Sequence, residues 1–213
     1  MKPVFYDTDC LSCFIVINDT SVLEKLFDCI YVPFEVYDEF DRPHIQDYKN
    51  RIDRLIDKGF VKIVTFDTRE DDYLLYMKLS SEYFSDKPIG KGEAAAIAHA
   101  KKHNGIVASN NTRDVMPYVV KYGLERITTG DILVMALKEG IITENEGNLM
   151  WSGMLNRNRW LNADSFTAYL NKKIDNVNMQ FLSMGMSSDF EKAIKIGING
   201  YKAEIADALT EGN

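Results

Sequence analysis

The fold class is decided by residues 91–111, which have the sequence KGEAAAIAHAKKHNGIVASNN. Small apolar residues predict a helix from Gly92 to His103 that packs closely on a sheet, and Asn104-Gly105 ends it. The apolar residues that follow predict a buried strand, and polar residues come directly after that strand. A helix that returns the chain to a new buried strand is the repeating unit of a parallel sheet, so the rest of the chain is expected to repeat it.

The same alternation of strands and helices runs through the first 140 residues. Short apolar runs predict strands at residues 2–6, 29–32, 60–64, 105–109 and 126–128. Helices are predicted at residues 21–28, 35–57 with a break near Pro43, 68–83, 92–103, 112–122 and 130–138. This order predicts a three-layer α/β/α domain with a central parallel sheet.

Strand patterns stop after residue 140. Helices are predicted at residues 144–155, 165–174 and 187–209. The chain is therefore expected to consist of an α/β domain, residues 1–140, and a C-terminal helical extension, residues 141–213.

Composition excludes several classes of protein. The chain has 213 residues, with 25 Lys plus Arg against 32 Asp plus Glu, so its net charge is −7. This charge disfavours binding of nucleic acid through a broad basic surface, but it leaves open a protein that holds phosphate through metal ions. No apolar run reaches the roughly 18 residues of a membrane span. Three cysteines, a small and odd number, favour a reducing compartment, so a cytoplasmic location is expected.

Four carboxylates stand where chemistry is expected, because ligands bind outside the carboxyl ends of parallel strands. Asp7 follows the first predicted strand, and Asp114 opens the helix after the fourth strand. Glu93 opens the alanine-rich helix, and Glu39 lies between Asp7 and Glu93 in the sequence. Each alone has a structural explanation, as a helix cap, a favourable helix-terminal charge or a solvated side chain. Together near the domain interior they would repel one another, and a hard divalent cation removes that repulsion.

Four short motifs in this order resemble the PIN-domain nucleases, the fold of VapC-type toxins and related metal-dependent ribonucleases. The motifs are Val4-Phe5-Tyr6-Asp7-Thr8, then Pro33 with Val36 and Glu39, then Gly92-Glu93 before the alanines, and finally Ser109 with Asn111 and Asp114. The resemblance covers residues 3 to about 140. Two positions depart from the family pattern, because Glu93 and the Asn110-Asn111 pair stand where many members carry Asp.

The resemblance implies hydrolysis of phosphodiester bonds in single-stranded or structured RNA. Asp7, Glu93 and Asp114 would hold one or two Mg²⁺ or Mn²⁺ ions, and Glu39 would orient a metal-bound water. Three more residues would support these groups or position the substrate: Thr8, Ser109 and Asn111. A toxin role would add an antitoxin partner, and family members also form homodimers.

An acidic protein still needs positive charge to hold a polynucleotide. Arg113 stands beside Asp114, and the tract at residues 156–160 combines Arg157 and Arg159 with Trp160, an aromatic side chain that can stack a base. These residues are the candidates for contact with RNA. For the tract itself, the favoured interpretation is that Trp160 packs against the extension while the arginines cap or solvate a helix end.

Two other functions remain compatible with the sequence. A haloacid-dehalogenase-like phosphatase would use Asp7 as nucleophile and Asp9 as acid, but it would have no role for Glu39 or Glu93. A catalytically inactive PIN-like scaffold is favoured by the Asn110-Asn111 pair and by the long extension.

A histidine pair on a helix and a cysteine pair in an apolar segment are the remaining candidates for a metal or redox site. His99 and His103 lie one helical turn apart, but no glutamate stands where a zinc protease requires one, so a solvated helix face is expected. Cys10 and Cys13 lack a second pair and are expected to be buried free cysteines.

Overall fold

The computed structural model describes residues 2–173. The strands are β1 Val4–Tyr6, β2 Ile30–Pro33, β3 Val61–Val64, β4 Ile106–Ala108 and β5 Glu125–Ile127. The α-helices are α1 Thr8–Val16, α2 Ser21–Leu26, α3 Phe34–Glu39, α4 Gln46–Asp57, α5 Asp71–Ser80, α6 Lys91–His103, α7 Thr112–Tyr122, α8 Thr129–Lys138 and α9 Glu144–Leu155. A 3-10 turn covers Pro43–Ile45, and residues 166–173 are again helical. The helix predicted at residues 187–209 lies outside the described residues.

The five strands form one parallel sheet in the order β3-β2-β1-β4-β5. Phe5 in β1 is paired with Tyr31 on one side and with Val107 on the other. The chain builds β1, β2 and β3 outward in one direction and then returns to add β4 on the opposite side of β1. The predicted parallel sheet is confirmed, and its topological switch point lies at β1, where such sheets bind their ligands.

Two apolar clusters cover the two faces of the sheet. Val4 and Tyr6 belong to the cluster that contains the buried residues of α1, α4, α8 and α9. Phe5, which alternates with them along the strand, belongs to the cluster built from α5, α6 and α7. The alanines of α6 are fully buried, so this helix lies close to the sheet. The predicted three-layer arrangement is therefore confirmed.

Helix α1 was not predicted. Every residue from Cys10 to Val16 is buried, and the helix contacts α3, α4 and α9. A helix enclosed on all sides has no polar face, so its sequence lacks the period that marks an amphipathic helix. Cys10 and Cys13 are buried and free, as expected.

Helices after residue 140 pack against the core of the sheet domain. Trp151 in α9 is 1% exposed, and its indole nitrogen Nε1 donates a hydrogen bond to the Ala163 carbonyl at 3.0 Å. Its ring centroid lies 6.1 Å from that of Phe166 and 5.4 Å from that of Tyr169. The Tyr169 hydroxyl donates to Asp131 Oδ1 in α8 at 2.9 Å. One apolar cluster therefore contains residues from both sides of position 140.

None of the helices within residues 2–173 combines the length and hydropathy needed to cross a bilayer.

The prediction of a solvated face at His99 is wrong. Its side chain is 2% exposed, and its ring stacks on Phe66 with 4.1 Å between centroids. His99 Nδ1 lies 3.8 Å from Asp72 Oδ2, and neither ring nitrogen has a hydrogen-bond partner in the described part of the chain. Burial lowers the pKa of His99 to about 4, although the Asp72 charge opposes this change. Helical spacing alone does not show that the loop after β3 places Phe66 over this face.

Acid should therefore destabilise the protein through His99. The native state protonates His99 only near pH 4, whereas an unfolded chain protonates histidine near pH 6.5. Between these values the unfolded state binds more protons, so stability falls as the pH falls, by roughly 2–3 kcal/mol at pH 4.5. His99→Phe preserves an aromatic ring and should remove this part of the acid loss. Urea unfolding at pH 7 and pH 4.5 measures it, with the exposed His44→Gln as control. An equal acid loss in wild type and His99→Phe would contradict the prediction.

Candidate functional site

The site lies where β1 and β4 end side by side. The backbone N–H of Asp7 donates to the Ala108 carbonyl at 2.9 Å, which joins the carboxyl ends of the two strands. Ser109 and Asn111 follow β4 directly, and Asp114 lies in the first turn of α7. Glu93 lies in the first turn of α6. Two helices, α6 and α7, therefore carry a carboxylate in their first turns near this edge of the sheet.

Asp7 is both a helix cap and a group with a free oxygen. Its Oδ1 accepts a hydrogen bond from the Cys10 N–H at 2.7 Å, so Asp7 is the N-cap of α1. The side chain is 1% exposed, and Oδ2 has no hydrogen-bond partner among residues 2–173. Burial raises the pKa of Asp7 to about 7, and the Ser109 hydroxyl and Cys10 N–H oppose this rise. A buried carboxylate oxygen without a partner is available to bind a cation.

Glu93 and Asp114 are joined by the amide of Asn111. Asn111 Nδ2 donates to Glu93 Oε1 at 2.7 Å and to Asp114 Oδ2 at 2.9 Å. Burial raises the pKa of Glu93, and the Asn111 hydrogen bond opposes the rise. Hydrogen bonds from the Arg113 guanidinium and, to a smaller extent, from Asn111 hold the pKa of Asp114 below its usual value.

Gly92 brings α1 and α3 against the start of α6. A β-carbon at position 92 would lie 2.9 Å from Thr8 Oγ1 and 3.0 Å from Glu39 Oε1, so only glycine allows this approach without movement. Thr8 Oγ1 is buried and lacks a hydrogen-bond partner in the described residues. Gly92 directly precedes Glu93 in α6. Thr8 and Glu39, the last residue of α3, therefore both lie against the start of α6.

Asp9 is a carboxylate at this site that the predicted nuclease set did not contain. Asp9 is exposed, and its charge raises the pKa of both Asp7 and Glu93. The sequence signal was the Asp7-Thr8-Asp9 spacing after β1, which was connected only with the phosphatase alternative.

The donor set suits a hard divalent cation. Asp7, Glu93 and Asp114 offer carboxylate oxygens, which Mg²⁺ and Mn²⁺ prefer, and one of these oxygens is buried without a partner. Within residues 2–173 no three acidic, histidine or cysteine side chains are arranged as a ready set of ligands. Two of the carboxylates are instead bound by Asn111 and Arg113.

The residues predicted to contact RNA lie in two places. Arg113 pairs with Asp114, with 2.9 Å between Nε and Oδ1. Arg159 Nη1 donates to Ser12 Oγ at 3.2 Å, which places this guanidinium on α1 one turn after Asp9. Trp160 is 69% exposed, so it does not pack into the extension. Arg157 donates to the Gly153 carbonyl at 3.2 Å. This is the contact expected if the arginine caps the end of a helix instead of binding RNA.

The fold and the site together define a class: a three-layer α/β domain whose carboxylates gather at the carboxyl edge of a parallel sheet, beside its central strand. A model of the PIN-domain family DUF3368 matches residues 3–174. The chain belongs to the PIN-domain family, which confirms the resemblance seen in the four motifs. The match also continues beyond residue 140, through α9.

Solved structures with a similar fold share little sequence with this chain. VapBC2 from Rickettsia felis, bound to a DNA fragment from its promoter, is 17% identical over 59% of this chain and 97% of the other, with a TM-score of 0.43. FitAB bound to the IR36 DNA fragment is 17% identical over 59% and 94%, with a TM-score of 0.41. FitAcB from Neisseria gonorrhoeae is 17% identical over 58% and 96%, with a TM-score of 0.39. No curated protein matches the chain.

Membership in this family favours a nuclease over the phosphatase alternative. Glu39 and Glu93 would have no role in the phosphatase chemistry, yet both lie at the site.

Proposed function

We propose that this PIN-domain protein is a metal-dependent ribonuclease that hydrolyses phosphodiester bonds in single-stranded or structured RNA. One observation carries the proposal: Asp7, Glu93 and Asp114 gather at the carboxyl edge of the sheet, and Asp7 Oδ2 is buried there without a partner. An isolated buried carboxylate is costly, so a site of this kind is expected to serve an ion or a substrate.

Asp7, Glu93 and Asp114 are the residues that would hold Mg²⁺ or Mn²⁺. When bound, such an ion supplies an activated water and offsets charge on the scissile phosphate. The Ser109 hydroxyl and the Cys10 N–H partly offset the rise that burial causes in the pKa of Asp7, so both favour its ionised form. Glu39 lies beside Thr8 at the start of α6, where its carboxylate would orient the attacking water and accept its proton.

The direct test is cleavage of mixed single-stranded RNA by purified protein with Mg²⁺ or Mn²⁺. Cleavage should disappear with EDTA and in Asp7→Asn protein purified in the same way. DNA of the same sequence, assayed in parallel, distinguishes a ribonuclease from a general nuclease. Absence of cleavage and of Mn²⁺ binding would favour the inactive scaffold instead.

We also propose that the protein is the toxin of a toxin–antitoxin pair. The net charge of −7 and the carboxylates at the site suit a basic segment of an antitoxin. Growth arrest on expression of the wild type, but not of Asp7→Asn, supports this role.

A homodimer is a separate proposal, and sedimentation of the purified protein tests it.

Arg159 and Trp160 are proposed to hold the RNA beside the acidic site. Arg159→Ala should weaken RNA binding severalfold and reduce the slope of log affinity against log salt by about 1. Trp160→Ala should weaken binding by about 1–3 kcal/mol, the range for loss of one stacked base. Fluorescence anisotropy with a short RNA at several salt concentrations measures both effects.

Arg69→Ala is the control for overall charge, because it removes the same charge from an exposed arginine that pairs with Asp67 in the loop after β3. Equal loss of RNA affinity in Arg69→Ala and Arg159→Ala would show that only overall charge matters.

A further inference from the structure

The Asn111 amide lies between two carboxylates of the site. Nδ2 carries two hydrogens, and it donates to Glu93 Oε1 at 2.7 Å and to Asp114 Oδ2 at 2.9 Å. A single neutral group thus satisfies an oxygen on each of two acids that come from different helices, α6 and α7.

The orientation of this amide is fixed by the start of α7. Asn111 is the N-cap, and its Oδ1 accepts the backbone N–H of Asp114 at 3.1 Å. Only the oxygen can accept this bond, so the NH₂ group must face the two carboxylates. The Asn111 N–H donates to Ser109 Oγ at 3.2 Å, which further holds the loop after β4.

Arg113 completes the neutralisation of Asp114. Its Nε and Nη2 lie 2.9 Å and 3.3 Å from the two Asp114 oxygens. The hydrogens of Asn111 and Arg113 therefore point at the oxygens that a cation between Glu93 and Asp114 would need. Asp7 differs, because its Oδ2 has no hydrogen-bond donor in the described chain.

We infer that the Asn111 amide occupies the space between Glu93 and Asp114 and satisfies the oxygens that these two acids turn toward each other, so that Asp7 would be the principal ligand of the ion that the three acids hold. This inference rests on the proposed function, since it concerns the same cation. Asn111 is then a positioning residue that holds two carboxylates together without metal. The site takes one ion fewer than the same site with aspartate at position 111.

Asn111→Asp is the test variant, and the number of bound Mn²⁺ ions is the measurement. Aspartate is as good an N-cap as asparagine, so α7 should still begin at the same residue. The change replaces two donors by a negative charge between Glu93 and Asp114. We expect calorimetric titration to show one more Mn²⁺ per chain than in wild type. The metal-free variant should melt at a lower temperature, and Mn²⁺ should raise its melting temperature more than that of wild type.

Asn104→Asp is the matched control. Asn104 ends α6 with φ of 49°, a conformation that aspartate tolerates, and it lies about 16 Å along the helix from Glu93. This variant gains the same charge and should bind as many ions as wild type.

The outcomes separate the inference from the proposed ribonuclease. One additional ion in Asn111→Asp supports the inference, even if wild type binds none, in which case the metal dependence of the proposed function fails. Equal numbers of ions in wild type and Asn111→Asp overturn the inference, and RNA cleavage by wild type then decides the proposed function independently.

Discussion

Asp7→Asn should abolish RNA cleavage and at the same time stabilise the metal-free protein. The variant replaces a charged ligand by a neutral amide at the centre of the site. We expect a loss of cleavage on the order of 10³-fold, about 4 kcal/mol of transition-state stabilisation. Initial rates on a labelled RNA with saturating Mn²⁺ measure this effect.

The stabilisation follows from the environment of Asp7. An asparagine oxygen can still accept the Cys10 N–H, so the cap of α1 is preserved. The buried Oδ2, which has no partner among residues 2–173, loses its charge. Burial raises the pKa of Asp7 to about 7 in the native state, against about 3.9 in an unfolded chain. Asp7 therefore keeps its proton to a higher pH in the native state than in the unfolded chain. The stability that the protonated side chain contributes is lost as the pH rises from about 4 to 7.

The stability difference should be largest above pH 7. In EDTA at pH 8, Asp7→Asn should gain on the order of 1–3 kcal/mol, or roughly 2–10 °C in Tm. Asp38→Asn, on the exposed side of α3, is the matched control and should leave both properties almost unchanged. Cleavage by Asp7→Asn at the wild-type rate would show that Asp7 is not a residue of the catalytic site. Loss of both cleavage and stability would assign Asp7 a structural role.

Much of the site was predictable because the acids sit at fixed points of the fold. In a parallel sheet, the residues after β1 and β4 and the first turns of the next helices meet at one edge, so Asp7 and Asp114 could be placed before their contacts were known. The run of small residues in α6 likewise placed Glu93 near the interior.

Directions and contacts of side chains were not predictable. Position 111 was seen to carry an amide, but only the cap of α7 shows that its NH₂ faces Glu93 and Asp114. Asp9 was assigned to a different chemistry, since spacing alone does not show which groups its charge affects. His99 is buried by Phe66, a residue far away in sequence. Such outcomes depend on tertiary packing, which local periodicity does not contain.

Trp151→Ala should lower the free energy of unfolding by about 3–5 kcal/mol, the range for loss of a large buried aromatic side chain. Trp151 contacts Phe166 and Tyr169, and its indole N–H satisfies the Ala163 carbonyl, which would be left without this donor. Its cluster also contains Val4 and Tyr6 of β1. The loss should therefore affect the sheet domain and the helices after residue 140 together.

Urea unfolding followed by far-UV circular dichroism tests this, with Trp160→Ala as a matched control. Trp160 is the other tryptophan and is 69% exposed, so its removal should change stability by less than about 0.5 kcal/mol. One cooperative transition with a lower midpoint is expected for Trp151→Ala. Two separated transitions, of which only one shifts, would contradict the prediction and favour an independent C-terminal domain that begins near residue 141. A single transition would mean that the PIN domain includes α9 and the helical residues 166–173 as structural parts, so the proposed cleavage activity of Trp151→Ala would be lost at a lower temperature than that of wild type.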